Sequence, residues 1–79
     1  DELRTAVAQM PGVHGVAELR ARSFGDGTHV WVEIRVDPEL TVRAAHDLGE
    51  AVERRLLERE GICDAVVHVD AAETDDPPR

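Results

Sequence analysis

The 79 residues of this chain are enough for one small domain, and a domain of this size buries only about 60% of its unfolded surface. We therefore expect a second subunit to add stability. The formal net charge of -8 disfavours binding to nucleic acid and favours divalent cations. The single cysteine, Cys63, excludes an internal disulfide and a Cys-x-x-Cys metal or redox motif.

The first half of the chain predicts a helix followed by a β-hairpin. Residues 1–10 carry apolar side chains at helical spacing, and Pro11-Gly12 ends this helix. Residues 13–24 then alternate, with Ala17, Leu19 and Ala21 on the apolar face. Gly25-Asp26-Gly27 is expected to supply the positive backbone angles of the turn. The second strand, residues 29–36, has a polar face that consists of His29, Trp31, Glu33 and Arg35.

The second half predicts a long core helix and a third strand. Thr41 is placed as the N-cap, and an apolar stripe begins at Val42 and ends near Arg59. Gly61 ends the helix, residues 63–69 form a strand, and residues 71–79 form a disordered acidic tail after a domain of residues 1–70. The order α-β-β-α-β predicts an α+β fold, a ferredoxin-like open-faced sandwich in which two helices cover one face of a three-stranded sheet.

His68 and Asp70 lie two residues apart in the third predicted strand. Successive strand residues point to opposite faces, so both side chains project from the polar face while Ala65, Val67 and Val69 pack inward. An imidazole and a carboxylate on an open sheet face can hold a divalent cation. The alternative is a pair of polar residues on the wet face of a half-buried strand, or a face that forms the centre of a dimer interface.

Several short segments carry a resemblance to a known family through their order and spacing. They are Met10-Pro11-Gly12-Val13-His14-Gly15-Val16, Glu18-Leu19-Arg20-Ala21-Arg22, Val36-Asp37-Pro38, Thr41-Val42-Arg43-Ala44-Ala45-His46 and Val67-His68-Val69-Asp70. Together they resemble the cytoplasmic C-terminal domain of cation diffusion facilitator transporters. Trp31-Val32-Glu33 is also similar to the Trp-x-Asp of magnetosome-associated members.

The resemblance implies a homodimeric domain on the cytoplasmic side of a bacterial membrane. Such a domain hangs below the membrane-embedded part of a proton-coupled exporter of divalent metals. Its two subunits form a V that closes when metal binds. Since the chain begins at Asp1 without an initiator methionine, we expect it to be a fragment of a longer protein.

A metal site is also implied by the resemblance. His46, His68 and Asp70 match positions at which family members bind zinc or related ions, and Ala17 occupies a position where many members carry histidine. Glu33 stands where zinc exporters often have another histidine. The predicted ligands are therefore His68, Asp70, Glu33 and His46, with Trp31 and His14 as further candidates. The exchange of imidazole for carboxylate leaves iron and manganese open beside zinc.

Each candidate residue has an ordinary structural alternative. His46 would then make only an i, i+4 contact with Glu50, and His14 would be a solvated loop residue. Trp31 would pack across the dimer. Cys63 is expected to be a small buried strand residue, and His29 is given no role.

The sequence offers little support for catalysis. It contains no nucleophile-base pair in a credible arrangement and no glycine-rich phosphate loop. We therefore expect a metal-responsive dimerisation domain at residues 1–70, not an enzyme. Two alternatives remain open, a purely architectural dimerisation domain that binds no metal and a free-standing soluble metal carrier. No apolar run approaches the ~20 residues of a membrane helix.

Overall fold

The computed structural model describes residues 2–72 and confirms the predicted order of helices and strands. The elements are α1 (Glu2–Ala8), β1 (Gly15–Phe24), β2 (Gly27–Val36), α2 (Val42–Leu57) and β3 (Ile62–Ala71). The strand order is β1-β2-β3, with β1 antiparallel and β3 parallel to the central β2. A parallel pair requires a crossover, which α2 provides. Neither described helix has the length and apolarity to cross a membrane.

The core lies between the helices and one face of the sheet. Alternate residues of β2, from Val30 to Val36, are at most 4% exposed, as the period of two predicts. Val7 of α1 and Val52 and Leu56 of α2 complete this cluster. Burying one such side chain contributes about 1.5–3 kcal/mol, so this one-sided cluster is a major source of the stability of the fold.

Helix α2 begins at the predicted cap, since the Thr41 hydroxyl accepts a hydrogen bond from the Ala44 N–H at 3.0 Å. Its apolar stripe is shorter than predicted. Val42 is 88% exposed, because it lies in the first turn, before the helix reaches the core. The helix ends at Leu57, two residues before the predicted Arg59.

A β-bulge in β1 corrects the predicted position of Ala17. Val16 pairs with Ile34 and Glu18 pairs with Glu33, so Ala17 is an extra residue without a partner position in β2. Ala17 is consequently exposed and does not lie on the apolar face. Beyond the bulge the register keeps the predicted faces, with Leu19 opposite Val32 and Ala21 opposite Val30, but Ala21 is exposed.

The hairpin and the third strand differ from the prediction in detail. Of the three residues predicted to form the turn, only Gly27, which is the first residue of β2, has a positive φ, at 135°. A Cβ there would lie 2.9 Å from the Gly61 carbonyl oxygen, so this position needs glycine for space as well as for conformation. Strand β3 continues to Ala71, and the predicted tail from residue 73 onward lies outside the described residues.

Candidate metal centre

The sheet face opposite the helices contains three of the four predicted ligands. We call it the open face, and the strand register places these residues on it: Glu18, Arg20 and Arg22 of β1, His29, Trp31, Glu33 and Arg35 of β2, and Asp64, Val66, His68 and Asp70 of β3. No described helix packs on this side. The open face therefore has both the side chains for cation binding and the access that a ligand needs.

Glu33 and His68 form the centre of the predicted site. They are register partners on β2 and β3, and Glu18 flanks Glu33 on the other side. Asp70, two residues beyond His68, accepts a hydrogen bond from the Ala71 N–H at 2.9 Å through Oδ1. One imidazole with two or three carboxylates is a donor set that divalent zinc, iron and manganese all accept. Within residues 2–72, however, the ligand atoms of Glu33, His68 and Asp70 do not converge into a group that could hold one ion, and Glu33 instead lies 3.8 Å from Arg35.

Trp31 packs beside this site. The His68 ring stacks on the indole with 6.4 Å between ring centroids and 16° between ring planes. On the other side, the Arg20 guanidinium carbon lies 4.6 Å from the Trp31 ring centroid, and Glu18 holds Arg20 by a 2.7 Å ion pair. Trp31 therefore contacts one predicted ligand directly, so its fluorescence should report on the state of His68.

The structure does not bring His46 to the other predicted ligands within one chain. His46 is an exposed residue of α2, on the helix-covered side of the sheet, while His68 and Asp70 project from the open face. Its Nε2 lies 3.6 Å from Oε1 of Glu50, which is the i, i+4 contact of the alternative interpretation. The assignment of His46 as a ligand stays a prediction.

His14 lies just before β1, and its backbone N–H donates to the Arg35 carbonyl at 2.7 Å. This contact places His14 at the end of the sheet where Asp70 pairs with Arg35. The four predicted ligands and the two further candidates remain predictions.

A different group of potential ligands was missed by the sequence analysis. Within residues 2–72, only Asp26, His29 and Cys63 form a set of three ligand atoms that lie within 4.8 Å of one another. His29 Nε2 lies 3.0 Å from Asp26 Oδ1, and His29 Nδ1 lies 3.5 Å from Asp64 Oδ2. Cys63 is exposed and free, contrary to the expectation of a buried strand residue.

The charges of this group perturb its titration. Hydrogen bonding to Asp26 raises the pKa of His29, and the same contact lowers the pKa of Asp26. Partial desolvation raises the pKa of the Cys63 thiol, and the Asp26 charge adds to this shift. The imidazole and the Asp26 carboxylate thus favour an ion pair, while the thiol is kept protonated.

A second β-bulge explains why Cys63 is exposed. Thr28 pairs with Ile62 and His29 pairs with Asp64, so Cys63 has no partner position in β2. The bulge removes it from the alternation that would have placed it in the core. One sequence signal could have found part of the group, namely Asp26 in the hairpin turn three residues before His29, but nothing in the sequence marks the bulge.

Comparison with known proteins identifies related chains. A sequence model described as "Cation efflux protein, cytoplasmic domain" matches residues 1–72. Metal tolerance protein C1 of Arabidopsis thaliana is 34% identical over 73 residues, which is 91% of this chain and 16% of that protein. The manganese efflux system protein MneS of Bacillus subtilis is 29% identical over 70 residues, or 89% of this chain and 24% of MneS. This chain thus spans under a quarter of the length of these relatives.

Solved structures of related domains have the same fold as this chain. A double variant of the MamM C-terminal domain has a TM-score of 0.85 at 36% identity, covering 92% of this chain and 89% of the other. A manganese form of another MamM variant has a TM-score of 0.82 at 38% identity, covering 90% and 91%. Nickel and cadmium forms of further variants are also similar to this chain.

Proposed function

Because the chain belongs to the family of cytoplasmic domains of cation efflux proteins, we propose that it is the regulatory domain of a divalent-cation transporter. In this proposal two copies form a dimer, and metal bound in the cleft between them controls how far the dimer closes. The membrane-embedded part of the same transporter is the second partner, and the domain lies on the cytoplasmic side. Its role is regulatory and not catalytic.

The observation that carries the proposal is the register of β2 and β3. It places Glu33 beside His68, with Asp70 two residues further on the same open face. Zinc is the first candidate for this donor set, and iron and manganese follow because carboxylates outnumber imidazoles. The nickel, manganese and cadmium forms of the related MamM domain support a divalent cation here.

Charge supplies a physical reason for metal-dependent closure. Each copy has a formal net charge of -8, so two copies repel as they approach. On the open face Glu18 and Glu33 are balanced by Arg20 and Arg35, at 2.7 and 3.8 Å, so the repulsion near the proposed cleft comes mainly from the net charge of the whole chain. A divalent cation held by His68, Glu33 and Asp70 would neutralise two charges there. We propose that His46 reaches such a site from the second copy, since its own chain separates it from His68.

A purely architectural dimer is the second candidate, and one observation favours it. Val66 is 49% exposed beside Trp31, and this apolar pair with Arg20 could pack across a two-fold axis without any metal. In that case Trp31 is an interface anchor, and His68 only supports its ring.

Metal titration and sedimentation of the same samples distinguish the two candidates. In a Cys63→Ser background, which leaves the Asp26, His29 and Cys63 group incomplete, we expect a dimer at tens of micromolar, and calorimetry with zinc and manganese to show binding that His68→Ala and Asp70→Ala each weaken strongly. Asp47→Ala, which removes an exposed carboxylate of α2, is the matched control and should bind as the parent does. A dimer that binds no metal supports the architectural candidate. A monomer with and without metal contradicts both.

A further inference from the structure

We propose that Asp26, His29 and Cys63 form a second metal site, at the hairpin end of the sheet, which binds a thiophilic divalent cation such as Zn²⁺ or Cd²⁺. The three ligand atoms come from the β1–β2 turn, from the start of β2 and from the bulge of β3. A bound ion would therefore connect the turn to a strand that lies 37 positions later in the sequence.

The distances between the ligand atoms match such a site after a small adjustment. In tetrahedral coordination with bonds of about 2.0–2.3 Å, neighbouring ligand atoms lie about 3.3–3.8 Å apart. The Asp26 and His29 atoms, now 3.0 Å apart, would separate slightly, and the longest distance in the set, at most 4.8 Å, would shorten. Asp26 and Cys63 are both exposed, so rotation of side chains closes the remaining gap without moving the core.

The backbone holds Cys63 toward the turn. The bulge between Ile62 and Asp64 leaves Cys63 outside the strand pairing, and its Sγ lies 3.7 Å from the Thr28 carbonyl oxygen. A Cβ at Gly27 would lie 3.2 Å from the same sulfur, so the absence of a side chain there gives the thiol its space. Bulges commonly redirect a side chain toward a functional position, and here the bulge turns a cysteine toward a histidine and a carboxylate.

The second nitrogen of His29 has the partner that a metal-bound histidine requires. If Nε2 binds the ion beside Asp26, Nδ1–H faces the Asp64 carboxylate at 3.5 Å. Such carboxylates fix the tautomer and orientation of a ligating imidazole. A thiolate, an imidazole and a carboxylate with a water in the fourth position suit zinc or cadmium better than manganese, which prefers oxygen ligands.

This second site is separate from the proposed Glu33, His68 and Asp70 site, although His29 lies on the same open face. His29 and Glu33 are four residues apart on β2, or about 13 Å at 3.3 Å per residue. No residue is shared between the two ligand sets. Each can therefore be removed by substitution while the other remains.

Cadmium titration of the chain in a reducing buffer tests the proposal, because a Cd²⁺–thiolate bond gives an ultraviolet charge-transfer band. We expect one thiolate-bound Cd²⁺ per chain. Cys63→Ser should abolish the band, and Asp26→Asn and His29→Gln should each lower the affinity at least tenfold. Asp64→Asn should lower it about tenfold or more through loss of the orienting contact. Asp47→Asn is the matched control, and circular dichroism of each metal-free variant checks that the fold is kept.

The double variant His68→Ala, Asp70→Ala separates this proposal from the function proposed above. It should lose binding at the Glu33, His68 and Asp70 site and keep the full thiolate band. If the parent gives no band, the second site does not exist, whatever happens at the open face. If the band persists at full affinity in Asp26→Asn and His29→Gln, the thiol binds cadmium alone and the proposed three-ligand site is wrong.

Discussion

The substitution His68→Ala gives the sharpest test of metal-linked stability. It is best made in a Cys63→Ser background, so that the Asp26, His29 and Cys63 group is incomplete and metal binding reports on Glu33, His68 and Asp70. His68 is exposed, and its main described contact is the stack on Trp31. Aromatic stacking contributes about 0.5–1.5 kcal/mol beyond area burial. Without metal, the free energy of unfolding should therefore fall by about 1 kcal/mol or less.

Bound metal should raise the stability of the background variant and not that of His68→Ala. A free metal concentration 100 times the dissociation constant stabilises a folded protein by about 2.7 kcal/mol. For a domain of this size, 1 kcal/mol shifts the melting temperature by about 4–8 °C, so the background variant should gain about 11–22 °C with zinc. The His68→Ala variant should gain almost nothing at the same zinc concentration. Thermal unfolding followed by circular dichroism, with EDTA and with zinc, measures both. An equal gain in the two proteins would refute the role of His68 as a ligand.

Three further outcomes are expected. In the Cys63→Ser background, addition of zinc should change the fluorescence of Trp31, and this change should be lost when His68→Ala is added. A change in both proteins would show that the signal does not come from metal bound by His68. In EDTA, NMR titration should find the pKa of His29 above 6.5 and lower in Asp26→Asn, because the carboxylate favours the imidazolium. Because the folded-state pKa of His29 is raised, its stabilising contribution is present below pH 6.5 and is lost as the pH rises through that raised pKa. Because the folded-state pKa of Asp26 is lowered, its contribution is present above pH 3.8 and is lost as the pH falls through the lowered pKa. Leu56→Ala, which empties a side chain that is 2% exposed, should lower the free energy of unfolding by about 2–5 kcal/mol in urea denaturation, and a loss below 1 kcal/mol would show that Leu56 is not in the core.

The sequence predicted the order of helices and strands because hydrophobic periodicity is strong in β2 and α2. The buried set from Val30 to Val36 follows the period of two, and the Thr41 cap has the side chain that helix starts prefer. The open face followed from the same periodicity, which is why Glu33, His68 and Asp70 were placed on one surface.

The two bulges could not be predicted in this way. A bulge residue has no distinctive composition or local propensity. The shift that it causes in the alternation can be recognised only when the pairing with the partner strand is known. Ala17 and Cys63 were therefore both assigned to the apolar side, and both are exposed. For this reason the sequence did not predict the group of Asp26, His29 and Cys63. The separation of His46 from His68 also depends on tertiary packing, since the helix that carries His46 crosses the covered face.

The parallel pairing of β2 with β3 has a consequence for the order in which the molecule folds. The β1–β2 hairpin closes over a two-residue turn, whereas Glu33 and His68 lie 35 positions apart and meet only after α2 has crossed the sheet. Contacts of high sequence separation form late, because loop-closure entropy opposes them. An ion held between β2 and β3 would then act on contacts that the folding transition state has not yet made. Bound metal should lengthen the lifetime of the folded chain by slowing its unfolding, with little effect on the rate at which it folds.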